Sequence, residues 1–247
     1  MKAIVVTDRA AGTAGMTLVE RPEPQAAIND VVVQVHASGF TSGELTWPST
    51  WTDRLDRDRT PSIPGQELAG VVTALGYGTT GLSVGQRVFG LSDSYRGGTL
   101  AEYVAIEARN LAPLPGDVDF TVGASVAMPG LTAWQGLFQH GRLQAGQSVL
   151  AHGAAGAVGS MVTQLAREAG ACVIGPVRCP ARSKAIVRWF SPPPCRAHRR
   201  QKNRQCRGPA PAVGLQSLKK LKLQPRMLPA IVRIACFSLS DPGDASG

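Results

Sequence analysis

The first feature of this chain is what its body lacks. No cysteine precedes Cys172, so residues 1–171 offer no thiolate for a structural zinc lobe, which uses four cysteines at short spacing. No apolar run approaches the roughly 20 residues needed to cross a bilayer. The start, Met1-Lys2-Ala3-Ile4-Val5-Val6-Thr7, has neither the long apolar stretch nor the small-residue cleavage site of a secretory signal, and a cytoplasmic protein is expected. Aromatic residues are scarce at 5%, yet 43% of the 247 residues are hydrophobic and 28 are glycine, which excludes a collagenous or wholly disordered chain.

Acidic residues almost vanish in one region. Residues 1–175 carry 11 Lys+Arg and 15 Asp+Glu (−4), whereas residues 176–247 carry 15 and 2 (+13), giving the overall +9. The same tail holds 10 of the 18 prolines and 4 of the 5 cysteines but only 4 of the 28 glycines. The sequence pI near 9.8 therefore describes the tail and not the body.

The body begins as a β-rich domain. A short apolar strand opens residues 1–11, and Met16–Glu20 continues in β-type residues until Arg21-Pro22-Glu23-Pro24 interrupts, because proline cannot donate to a ladder. Asp30–Ala37 and Leu68–Gly76 are β-branched strands, Gly85–Gly90 is a shorter one, and Gly97–Val104 turns and extends again. Short strands between Gly/Pro turns indicate a barrel-like domain over residues 1–120. The character changes at residue 121: Thr121–Met128 is helical, Pro129-Gly130 is expected to interrupt, and Leu131–Phe138 resumes with helical spacing.

Gly146–His152 reads as a buried-type strand running into Gly153-Ala154-Ala155-Gly156-Ala157-Val158-Gly159. A helix over Ser160–Ala169, a stop at Gly170 and a second apolar strand, Ala171–Gly175, follow. Strand, glycine turn, helix and strand form the context in which G-x-G-x-x-G acquires meaning. The backbone can approach a pyrophosphate closely there, and the helix N-terminus meets its charge. Ala154 occupies the first fingerprint position, with Gly156 and Gly159 in the second and third. An ordinary tight βα turn is the competing reading.

Five segments in order carry a family resemblance: Pro64–Val72, Val84–Val88, Gly97–Val104, Leu131–Gln135, and Ala154–Gly159 with Gln164-Leu165-Ala166. On these, the chain resembles the medium-chain dehydrogenase/reductase superfamily, in its zinc-free, quinone-oxidoreductase-like, NADP-dependent branch, over about residues 1–187. The resemblance implies an α/β fold with a β-rich part: an N-terminal GroES-like barrel domain (1–120) that shapes the substrate cleft, and an incomplete Rossmann NADP-binding domain (121–187). It implies hydride transfer from NADP(H) to a quinone, enone or related carbonyl. Cofactor contacts are expected from Thr132, Gly153, Ala154, Ala155, Gly156, Ala157, Val158 and Gly159. After Ile174-Gly175 comes Pro176-Val177-Arg178 and no acid for ribose hydroxyls, so Arg178, helped by Arg182 or Lys184, is the expected partner of a 2′-phosphate.

Zinc is not expected. Zinc-dependent relatives carry a ligand cysteine where this chain has Thr41, and Gly-His-Glu where it has Gly65-Gln66-Glu67. His36, His140, His152 and His198 show no ligand spacing. Thr41 stands where relatives often place a cleft Asn, and its hydroxyl is the candidate catalytic donor to the carbonyl; the alternative is a hydroxyl capping local backbone. Glu44, Trp47 and Trp51 are candidate cleft residues, with packing the alternative for the aromatics. No acid/base pair stands out. A small carbonyl or quinone is the expected partner, a homodimer stays open, and neither membrane nor nucleic acid is expected.

In relatives a helix would carry Lys184–Val187 and further β/α units would follow. Here Trp189–Arg200 fits neither helix nor strand, because its prolines block both. Loss of acids and glycines with gain of Arg, Pro and Cys is what translation of GC-rich coding in a shifted frame produces. Residues 188–247 are so read, and catalysis by this chain is expected to be impaired. The competing reading is a genuine basic appendix, with Arg199–Arg204 and Lys219–Lys222 contacting phosphates on a non-catalytic interaction protein.

Overall fold

The computed structural model describes residues 1–177 and 185–187. Strands β1 (Lys2–Val5) and β2 (Thr17–Glu20) pair antiparallel, with Ala3 opposite Val19. The next five strands, β3 (Asp30–Gly39), β4 (Glu67–Leu75), β5 (Arg87–Leu91), β6 (Tyr103–Glu107) and β7 (Leu111–Pro113), form one antiparallel sheet in the order β6-β3-β4-β5-β7. Its β-branched and aliphatic side chains interdigitate as a core of Val31, Val33, Leu68, Val72, Val88, Val104, Ile106 and Leu111, each contributing about 1.5–3 kcal/mol by leaving water. Register shifts between Val32 and Val33 and between Val35 and Ala37 bend β3, and past them Gly39 faces Glu67.

Between β3 and β4 the chain makes a 3₁₀ turn (Ser42–Thr46) and the one-turn helix α1 (Pro48–Trp51), whose proline sits at its start where no N–H is needed. Trp51 is buried with Val6 and Leu45, and its indole N–H donates to the Leu45 carbonyl at 2.8 Å. At the opposite end of β3, the Arg96 guanidinium grips the buried Asp30 carboxylate through both of its NH₂ groups.

Helix α2 (Phe120–Trp134) runs through Pro129 and continues as a π-helical turn, Gln135–His140. The expected interruption at Pro129-Gly130 is therefore corrected. A proline withdraws one donor from the ladder, and tertiary partners can compensate. Here the Glu67 Oε1 accepts the N–H of Met128, the residue just before it, at 2.8 Å. Met1–Met128 form one compact unit, and a second begins at Pro129.

In the second unit β8 (Ser148–Leu150) pairs parallel with β9 (Cys172–Val177), and helix α3 (Ala157–Glu168), which packs on β9, joins them. Met161, Leu165 and Ala166 are the apolar residues that α3 buries. The helix expected across Lys184–Val187 is replaced by β10 (Ala185–Val187), which pairs antiparallel with β9. A run of Ala-Ile-Val is apolar in either period, and an available edge of β9 selects the extended form. The expected β-rich first part and α/β second part are both present. Readings made on Arg178, Arg182, Lys184 and residues 188–247 lie outside the described residues.

Candidate active site

The glycine turn sits between the two parallel strands. Gly153 adopts φ +69°, and the Gly156 N–H closes the turn on the Gly153 carbonyl at 2.8 Å. The cap of α3 is Gly156, which has no side chain to offer the first amides. The helical ladder begins with the Ser160 N–H on the Gly156 carbonyl, so the N–H groups of Ala157, Val158 and Gly159 precede it. Gly159 is buried against the turn: a Cβ there would lie 2.1 Å from the Gly153 carbonyl oxygen and 2.7 Å from the Ala154 Cα. Ala155, Gly156, Ala157 and Val158 are exposed. Bare backbone, free amides and the positive end of a 12-residue helix dipole suit a pyrophosphate. Thr132 lies exposed on α2.

The first unit gathers a different set of groups. Thr41 precedes the 3₁₀ turn in extended conformation, in a capping-box arrangement: its N–H donates to the Glu44 Oε1 at 3.0 Å, and its carbonyl accepts the Glu44 N–H at 2.9 Å. The Thr50 hydroxyl donates to the Glu44 carbonyl at 2.7 Å. These bonds draw Glu44 inward until it is only 1% exposed. Burial pushes its carboxyl above the ordinary range, against the Thr41 and Gly65 N–H groups that favour its charge. Even so, no donor reaches the Glu44 Oε2 with hydrogen-bond geometry.

Glu67 is 7% exposed. Burial first, and then the nearby Glu44 charge, push its carboxyl up to about 7, while the Met128 N–H pulls the other way. A cavity of about 10 Å³, the size of one water, is lined by Glu44, Arg59, Gly65, Gln66, Asp93 and Arg96, among others. Arg59 stitches its wall by donating to the carbonyls of Ser49, Ser94 (3.0 Å) and Arg96.

Of the expected cleft residues, Glu44 lines this cavity, beside Gln66 from the zinc-ligand position; Thr41 is exposed and holds Glu44 through its backbone, Trp47 is half-buried as the α1 cap, and Trp51 belongs to the core. His36 is exposed and stacks on Phe120, with ring centroids 4.4 Å apart. His140 and His152 are exposed too. Among the described residues no group of three or more His, Cys, Asp or Glu is placed to hold a metal ion. Sequence reading passed over Glu67, Arg59 and Arg96. The signal available for Glu67 was a carboxylate opening an otherwise apolar strand, Glu67-Leu68-Ala69-Gly70-Val71-Val72.

Residues 27–116 match the alcohol dehydrogenase GroES-like domain. The chain is 36% identical over 154 residues to quinone oxidoreductase of Rattus norvegicus, a match that spans 62% of this chain and 45% of the rat protein. Among solved structures it resembles an alcohol dehydrogenase superfamily protein from Novosphingobium aromaticivorans, at TM-score 0.65 and 32% identity over 73% of this chain and 54% of that one. It also resembles the quinone oxidoreductase of Pseudomonas syringae pv. Tomato DC3000, at TM-score 0.63 and 30% identity over 72% and 53%. The likeness to the medium-chain dehydrogenase/reductase superfamily thus holds over 62–73% of the chain, which spans about half the length of these relatives.

Proposed function

We propose that the protein is an oxidoreductase that passes a hydride from NADPH to a quinone, enone or related carbonyl without zinc. Residues 1–120 shape the substrate side and residues 121–187 begin the cofactor domain. The observation that carries this reading is the Gly153–Gly159 turn, whose backbone admits no Cβ at Gly159 and whose helix opens with uncapped amides. These groups would hold the pyrophosphate of a dinucleotide. Such a cofactor supplies the hydride, and the chain's own part is to bind, orient and exclude water.

Preference for NADPH over NADH rests on the segment closing β9, Pro176-Val177-Arg178, which has no carboxylate for ribose hydroxyls and has a guanidinium for a 2′-phosphate. Zinc independence rests on the donor set, because Thr41 and Gln66 offer a hydroxyl and a neutral amide, both poor zinc ligands. Thr41 is exposed, and its hydroxyl is the candidate donor to the substrate carbonyl. The relatives named quinone oxidoreductase support the substrate class.

Fluorescence titration of the whole chain with NADPH and NADH tests the cofactor, and NADPH oxidation by a simple quinone or enone tests the reaction. Saturable binding that favours NADPH, with oxidation dependent on the acceptor, is expected. Absence of dinucleotide binding at millimolar concentration would refute the reading.

A further inference from the structure

We propose that Gly175, on the second strand of the parallel pair, is a positioning residue of the Gly153–Gly159 turn: its missing Cβ is the space that Ala154 fills, and this fit holds the turn in the shape that receives a pyrophosphate. The ligand half of the proposal rests on the dinucleotide reading above; the fit between Ala154 and Gly175 does not.

The first position of the glycine fingerprint is filled here by Ala154, one methyl larger than glycine. That methyl needs room, and β9 supplies it. A Cβ on Gly175 would lie 2.8 Å from the Ala154 Cβ, whereas ordinary contacts of this kind are 3.4–4 Å. Helix α3 presses on the same residue, since a Cβ on Gly159 would lie 2.7 Å from the Ala154 Cα. Ala154 thus abuts two residues without side chains, one on the helix and one on the strand. Gly175 stands 16 residues past Gly159, so no spacing within the fingerprint reveals it.

Neither side of this contact gives way easily. No torsion moves the carbon of an alanine methyl, so only a backbone displacement relieves the overlap. β9 is pinned: the Ala151 N–H donates to the Ile174 carbonyl at 2.8 Å, Leu150 faces Ile174 in parallel register, and Val187 faces Gly175 from β10. The turn therefore takes the displacement, at least the 0.6 Å between 2.8 and 3.4 Å. The Ala154 nitrogen is bonded to the Gly153 carbonyl, which accepts the Gly156 N–H at 2.8 Å. A shift of Ala154 thus moves the bond that closes the turn. With Gly156 move the cap of α3 and the amides of Ala157, Val158 and Gly159. These are the groups that suit a pyrophosphate, and their hydrogen bonds weaken steeply as alignment is lost.

Strand preference alone gives the opposite expectation. Glycine inside a strand has no side chain to pack and the most backbone freedom to lose, so alanine at an unobstructed strand position stabilises. Gly175 is buried in β9. The Ala154 methyl accounts for a glycine at such a position.

The test is a double-mutant cycle in the whole chain: wild type, Gly175→Ala, Ala154→Gly and the two together, each read by thermal melting and by fluorescence titration with NADPH. In the wild-type background, Gly175→Ala is expected to lower the melting temperature and to raise the Kd for NADPH at least about tenfold. In the Ala154→Gly background the same substitution should leave melting almost unchanged and move the Kd by less than about threefold. A glycine with a merely structural role costs the same in both backgrounds, and that result overturns the proposal, as does a higher melting temperature for Gly175→Ala alone. Rescue of melting without rescue of NADPH affinity overturns the positioning of the ligand and leaves the fit standing. If the wild type binds no NADPH, the dinucleotide reading and the ligand half are overturned together, while the melts still decide the fit.

Discussion

Replacing Glu67 with glutamine should stabilise the protein above neutral pH and leave it almost unchanged in mild acid. The native carboxyl titrates near 7 against 4.5 in the unfolded chain. Below 4.5 both states are protonated and the contribution is fully present. As pH rises toward 7 the unfolded chain sheds the proton first, so stability falls across that window and is flat above it. The full difference corresponds to about 3 kcal/mol, at 1.36 kcal/mol for each pKa unit. Glu44, whose carboxyl is also raised by burial, loses stability in the same direction. Glutamine keeps the carbonyl that accepts the Met128 N–H and cannot ionise, so it imitates the protonated side chain. For a chain of this length, melting at about pH 8 should rise by about 6–12 °C in Glu67→Gln, and at about pH 5 by only a small part of that. Asp53, held down to about 2 by Arg57, together with Asp58 and Asp119, held down by neighbouring Thr donors, act oppositely, losing their contribution only in stronger acid. They are common to both proteins and cancel in the comparison. Urea or thermal melts at the two pH values decide the matter: equal stability at about pH 8, or a less stable Glu67→Gln there, refutes the reasoning.

Three further outcomes are expected. Gly159→Val puts a branched side chain where even a Cβ would lie 2.1 Å from the Gly153 carbonyl, so the turn must open and NADPH binding should weaken at least about tenfold, roughly 1.4 kcal/mol, by fluorescence titration. Arg96→Ala strands a buried Asp30, and denaturant melts should show a loss of about 3 kcal/mol that Asp30→Asn in the same chain partly restores. Elemental analysis of purified protein should find no stoichiometric zinc; about one tightly held zinc per chain would contradict the reading of Thr41 and Gln66.

Much of the scaffold was legible residue by residue. Val31-Val32-Val33 and Leu68–Val72 are strands in the sequence and in the sheet, because β-branched side chains suit a pleated, buried surface whatever their partner. The glycine turn was legible for a similar reason: a strand, a positive-φ glycine and an amphipathic helix are local features. β7 went unread, since Leu111-Ala112-Pro113 is too short to show a period and is extended only because β5 offers an edge. Pro129 misled because its local cost is real, while the compensation at Met128 comes from Glu67.

What the sequence determined by itself is therefore the part governed by neighbours along the chain: the β-branched strands, the strand, glycine turn and helix around Gly153–Gly159, and the sharp change of charge after residue 175. What only the tertiary structure decided is the state of its charges. Asp30 and Glu67 both sit at the first residue of a strand, yet Asp30 meets the Arg96 guanidinium, whereas Glu67 is buried without an ion-pair partner among the described residues and accepts only the Met128 N–H. Ionisation depends on water excluded and charges brought close through space, and those neighbours arrive from distant segments that no local period encodes.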